Sequence, residues 1–177
     1  MSDAPYVVTL CTGNAARSVM AAFMLEHWAE RAGTVLAVAS AGTHVVEGQP
    51  MGMRTRAALA SIPELGDLAV SGHRSKQLSD EHVTQADLIV AMEADHVRFV
   101  RRQHPEAARR CATLRRLCAD LVAGHAALDE RIAALDLGAL PLNPAEDVAD
   151  PAGGDVDVYV ACADELWSLT GQLFGVL

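Results

Sequence analysis

Lysine is nearly absent from this 177-residue chain. Thirteen arginines stand beside the single Lys76, 23 acidic residues oppose them, and the formal net charge is −9. A chain this acidic does not bind nucleic acid through bulk charge. Aromatic residues make up only 4 %, so the core is aliphatic, dominated by alanine and valine. The four cysteines, Cys11, Cys111, Cys118 and Cys162, form no C-x-x-C pair and no Cys/His zinc spacing. That excludes a disulfide framework and the usual structural zinc site. Reduced thiols in a cytoplasm are the natural reading. No apolar run reaches the roughly 18 residues of a membrane span. The opening "MSDAPYVVTL" has neither the basic nor the apolar region of a signal peptide. There is no internal repeat, no low-complexity tract, no GxxxxGK[ST] and no GxGxxG.

What is present is enough apolar sequence, 51 %, for a sizeable core, and residues 1–177 read as a single domain. Apolar runs at 6–11, 35–41 and 86–92 predict buried strands, with a weaker fourth at 111–117. Helical spacing occupies 19–31, 51–61, 93–103, 125–135 and 155–174. Strands alternating with helices predict an α/β fold around a parallel sheet. Ligands in such sheets bind outside the carboxyl ends of the strands, near a topological switch point.

Cys11 stands at such an end, in "VTLCTGNAARSVMAA". Gly13 and Asn14 tolerate positive φ, so the turn can curl until successive N–H groups of Thr12, Gly13, Asn14, Ala15, Ala16 and Arg17 face one point. The following helix adds its unpaired N–H groups and positive dipole end. Arg17 brings a planar fork suited to two oxygens of a tetrahedral oxyanion. Such surroundings favour a thiolate, and a thiolate against a bound phosphate is poised for in-line attack on phosphorus. Ser18 is placed to donate to the Cys11 sulfur. A phosphate ester also needs a proton for its leaving oxygen. Asp150, held extended before Pro151, is the candidate, as acid first and base afterwards, although Asp-Pro is also an ordinary helix-start signal.

Together these residues resemble the low-molecular-weight protein tyrosine phosphatases, especially bacterial ones. The resemblance rests on Cys11-TGNAA-Arg17-Ser18, on Ser40-Ala-Gly-Thr43 after the second strand, on His73 before the third, on Met92-Glu93 at its end, and on Asp150-Pro151 before the last helix. It implies a four-stranded parallel sheet flanked by helices on both sides, a three-layer sandwich. It further implies a phosphocysteine at Cys11, no cofactor or metal, and a polar network of Asn14, Ser18 and His73 that shapes the loop. The substrate implied is a phosphorylated protein or a small phosphate ester.

The departures are specific. Ala16 stands where many members carry a second, protective cysteine. Ala152-Gly153-Gly154 follows Asp150-Pro151 where many have an aromatic wall, leaving His44 and Val45 as the other wall candidates. The segment 119–144 is longer than usual and could reach the mouth of the site. A small-metabolite phosphatase therefore stays open. So does a thiol-coupled arsenate reductase of the same fold, since Cys111 and Cys118 lie seven residues apart, and so does a catalytically silent phosphate-binding module. The arginines at 98, 101, 102, 109, 110, 115 and 116 read first as a solvated face with carboxylate partners. Docking of an acidic partner is the alternative.

Overall fold

The computed structural model describes residues 4–66 and 72–177. Four strands, β1 (Tyr6–Cys11), β2 (Ala37–Gly42), β3 (Leu88–Ala91) and β4 (Cys111–Thr113), form one sheet in the order β2-β1-β3-β4. Every pairing is parallel. The helices are α1 (Arg17–Ala32), α2 (Met53–Ser61), α3 (Asp80–Gln85), α4 (Ala94–Gln103), α5 (Leu114–Asp120), α6 (Leu128–Ala133) and α7 (Val156–Phe174).

Side chains on a strand alternate between its faces, and the two apolar clusters follow that period. Val7 and Cys11 of β1, with Leu88 and Val90 of β3, pack against α1, α2, α5 and α7. Val8 and Leu10, with Ile89 and Ala91, pack against Val83 of α3 and Val97 and Val100 of α4. A sheet buried on both faces needs near-continuous apolar strands, which "YVVTLC" and "LIVA" supply. The result is the expected helix–sheet–helix sandwich.

The chain leaves β1 for β2 on one side and returns to β3 on the other. The strand order therefore reverses between β1 and β3. The loops leaving their carboxyl ends face each other across the crevice where ligands bind in such sheets.

Three elements differ from expectation. The predicted strand 111–117 stops at Thr113, and helix α5 begins at once. The Thr113 side chain accepts the Arg116 N–H, and Leu114 and Leu117, three apart, are buried together. Cap and helical period override the β-like composition. Helix α3 was not anticipated. It is nucleated by a capping box in which Ser79 accepts from the His82 N–H and the His82 ring accepts from the Ser79 N–H. The predicted helix 125–135 is shorter, and its segment packs away from the crevice. Ile132 and Leu137 are buried as members of the larger apolar cluster, Arg131 bonds the carbonyls of Val122, Val176 and Leu177, and Arg101 bonds those of Leu137 and Leu140.

The arginine cluster is mostly consumed in the same way. Arg98 pairs with Asp95, Arg115 with Glu165, Arg116 with Asp120 and Glu146, and Arg110 bonds the Val83 carbonyl. No described helix is long and apolar enough to cross a membrane.

Candidate active site

Cys11 ends β1 and is 3 % exposed. Residues 12–16 then turn into α1, which has no side-chain cap and no acid in its first turn. Its unpaired N–H groups and dipole are thus left for an anion. Of the two residues expected to allow positive φ, only Asn14 uses it, at φ 49°. Gly13 lines the cavity instead, and a Cβ there would meet no protein atom within 4 Å.

Asn14 is fully buried and organises the turn. Its Oδ1 accepts the Lys76 N–H at 2.9 Å and its carbonyl accepts from His73 Nε2 at 3.1 Å. A backbone N–H can only donate, so the Oδ1 assignment is fixed and Nδ2 must face Ser18 Oγ, at 3.0 Å. Ser18 Oγ accepts that bond. Its own hydrogen is then free for Cys11 Sγ, also 3.0 Å away. The chain of donors therefore ends on sulfur, an arrangement suited to a thiolate, which can only accept. His73 joins through the Asn14 backbone. Burial lowers its pKa, and the neutral ring can donate from Nε2 to that carbonyl.

Arg17 is 2 % exposed and held through both terminal nitrogens. Its Nη1 donates to the Val148 carbonyl at 2.8 Å and pairs with the Glu93 carboxylate, while Nη2 pairs with Asp150 Oδ2 at 2.9 Å. Asp150 is placed by its neighbours. The Asp147 carboxylate accepts the Ala94 N–H at 2.7 Å, the Val148 N–H reaches the Met92 carbonyl at 2.8 Å, and Asp150 Oδ1 accepts the Ala152 N–H at 3.1 Å. A cavity of about 110 Å³ brings together Cys11, Gly13, Ala15, Ala16, Arg17 and Asp150.

Further residues belong to this frame; of these, His96 and Tyr159 were not singled out from the sequence, while Gly42 and Thr43 entered only as part of the Ser40–Thr43 segment. His96 Nδ1 accepts the Glu93 N–H at 3.1 Å, so the proton sits on Nε2, which donates to Thr12 Oγ1 at 2.9 Å. Burial, and then the Arg17 charge, lower its pKa to about 4, so the ring is neutral. Gly42 lets the loop pass. A Cβ there would lie 2.5 Å from the Thr12 carbonyl oxygen and 2.8 Å from the Asn14 nitrogen. The next two N–H groups, of Thr43 and His44, bond the Cys11 and Thr12 carbonyls, both at 2.9 Å. Tyr159 of α7 also lines the cavity.

The wall candidates His44 and Val45 sit close to the loop but do not line the cavity. The His44 ring packs on Phe99 at 5.6 Å, and Val45 lies against Gly42. The segment 119–144 contributes nothing to the cavity lining. Cys111 and Cys118, a thiol pair by spacing, face opposite sides of the sheet. Burial pushes their pKa values up to about 12 and about 11, and that of Cys162 up to about 12. Among the described residues no group of three or more His, Cys, Asp or Glu side chains could hold a metal.

The model of the low molecular weight phosphotyrosine protein phosphatase family matches residues 6–131. A protein-arginine-phosphatase of Geobacillus stearothermophilus is 33 % identical over 170 residues, covering 96 % of this chain and 94 % of its own. Among solved structures, a low molecular weight protein tyrosine phosphatase from T. tengcongensis superposes with a TM-score of 0.78 at 29 % identity, covering 98 % of this chain and 100 % of that one. A YwlE arginine phosphatase mutant with a phosphorylated active-site serine gives 0.76 at 27 % identity, covering 96 % and 93 %.

Proposed function

The chain belongs to the low molecular weight phosphotyrosine protein phosphatase family, and from that premise we propose that it hydrolyses phosphotyrosine in proteins through a phosphocysteine at Cys11. One observation carries the reading: Cys11, Arg17 and Asp150 line one cavity, with Ser18 Oγ on the sulfur.

The steps follow from that geometry. The phosphoryl oxygens take the N–H groups of residues 12–17 and the Arg17 guanidinium, displacing Asp150 from Nη2. The Cys11 thiolate attacks phosphorus, the bond from phosphorus to the leaving oxygen breaks, and protonated Asp150 gives its proton to that oxygen. Water then attacks the phosphocysteine, Asp150 takes a proton from it, and the sulfur leaves as thiolate with the Ser18 hydroxyl on it. Arginine and amide donors stabilise the charge that develops on the equatorial oxygens. Tyr159 supplies an aromatic wall that the residues after Asp150 lack, which favours a phenyl ring in the cavity. Chemistry at a free thiol fits a reducing compartment, and we place the protein in the cytoplasm.

A second reading is phosphoarginine. The protein-arginine-phosphatase relative aligns over nearly the whole chain, and Ala152-Gly153-Gly154 puts no ring beside the acid. The test is steady-state turnover of an aryl phosphate, phosphotyrosine and phosphoarginine peptides and phosphorylated metabolites by wild type and Cys11→Ser. Loss of all turnover in Cys11→Ser, with one added phosphoryl group on its serine by mass spectrometry, supports the mechanism. The peptide ratio selects the residue type. Undiminished turnover in Cys11→Ser overturns the proposal.

A further inference from the structure

We propose that a second cavity, beside the catalytic one, is a subsite for an acidic side chain flanking the phosphorylated residue, and that Arg54 reads it. The inference rests on the protein phosphatase reading above. The second cavity measures about 270 Å³ and is lined by Ala15, Gly52, Met53, Arg54, Thr55 and Tyr159. Two of these, Ala15 and Tyr159, also line the catalytic cavity. A polypeptide whose phosphorylated side chain enters the first therefore lays a neighbouring residue over the second.

The first turn of α2 is fixed to both walls of the catalytic cavity. The Thr55 hydroxyl donates to the Ala15 carbonyl at 2.9 Å, on the phosphate loop. Arg54 Nη1 donates to the Gly154 carbonyl, on the loop that carries Asp150. The Arg54 guanidinium carbon lies 5.4 Å from the centroid of the Tyr159 ring. A side chain held by a carbonyl and an aromatic face has lost much of its rotamer freedom before any ligand arrives, which lowers the cost of binding.

Its charge is also uncommitted. Among the described residues Arg54 makes no ion pair, and no acid occupies the first turn of α2. By contrast Arg17, Arg98, Arg115 and Arg116 are all paired with carboxylates. In a chain of net charge −9, an unpaired cation at the substrate mouth opposes the repulsion that an acidic peptide meets elsewhere. The complementary ligand is a carboxylate, which the guanidinium can bond with its remaining N–H donors. Met53, 88 % exposed, lies beside it as an apolar contact for the peptide.

The test compares phosphopeptides that differ only in Glu, Gln or Lys on either side of the phosphorylated residue, with an aryl phosphate in parallel. Wild type is expected to favour the Glu peptides over Gln by about three- to fivefold in kcat/KM at low salt, as for one exposed ion pair. That preference shrinks with added salt. Arg54→Gln brings the ratio to about one, and Arg54→Lys restores part of it. Equal turnover of all peptides by wild type, or a Glu preference that survives in Arg54→Gln, overturns the inference. A loss in Arg54→Gln shared equally by all peptides assigns Arg54 a purely structural role and overturns it too. Absence of aryl phosphate turnover by wild type identifies failure of the phosphatase reading itself, and the subsite falls with it.

Discussion

Acidification should destabilise this protein through one buried ring. His96 is 3 % exposed, and its pKa lies at about 4 against the ordinary 6.5, from burial first and the Arg17 charge second. In the unfolded chain the ring takes a proton near pH 6.5; in the folded chain it resists until about pH 4. Between those values the unfolded state binds the extra proton, so stability is full above pH 6.5 and falls as the pH drops toward 4. Below that both states are protonated and the loss stops. The separation corresponds to roughly 3 kcal/mol, with a slope approaching about 1.4 kcal/mol per pH unit near pH 5. His73 and His82 are also depressed by burial and act in the same direction. The measurement is therefore a difference: urea unfolding of wild type and His96→Gln from pH 4 to 8. Glutamine can offer an oxygen to the Glu93 N–H and an amide N–H to Thr12 without titrating. As the pH falls from 8 to 4, wild type should lose about 3 kcal/mol more stability than His96→Gln. Parallel curves, or a ring that titrates near 6.5 by NMR, would refute the reasoning.

Other consequences can be checked more briefly. Asp150→Asn should slow turnover most for esters with poor leaving groups; equal losses for good and poor ones would remove Asp150 as the acid. Ser18→Ala takes the last donor from the Cys11 sulfur and should slow phosphocysteine breakdown more than its formation, by about tenfold, read as a larger burst relative to the steady state. An unchanged burst would place Ser18 outside that step. Gly42→Ala puts a Cβ into the Thr12 carbonyl and should cost about 2 kcal/mol in thermal or urea unfolding. A neutral substitution would mean that the loop yields freely.

The local geometry of consecutive residues was legible in the sequence, because a strand, a turn and a helix start fix one another over a few residues. Cys11, Asn14, Arg17 and Ser18 lie within eight positions, and their residue types already implied a curled loop with donors facing inward. Asp150 was legible because proline restricts the residue before it. The fourth strand misled because its opening residues, Cys111 to Leu114, are apolar or β-branched, while the deciding features are a threonine cap and a three-residue spacing of leucines. Tyr159 was read as one residue of a long helix. Only the packing of α7 beside the phosphate loop turns it into a wall.

The partners of Arg17 were the least legible, and the reason is topological. The motif supplies the guanidinium but not what holds it. Glu93 is 76 residues from Arg17, Val148 is 131, and Thr12 meets His96 across 84. Taken locally, Glu93 and His96 are only the capping box of α4. The reversal of strand order puts that cap against the phosphate loop, so one pair of side chains both starts a helix and braces the site. The same junction takes the Val148 N–H on the Met92 carbonyl and the Asp147 carboxylate on the Ala94 N–H. Asp150 and Cys11 are thus positioned by a common support, the end of β3. A perturbation there should disturb the Cys11 loop and the Asp150 loop together, whereas one at Asn14 should reach the Cys11 loop alone.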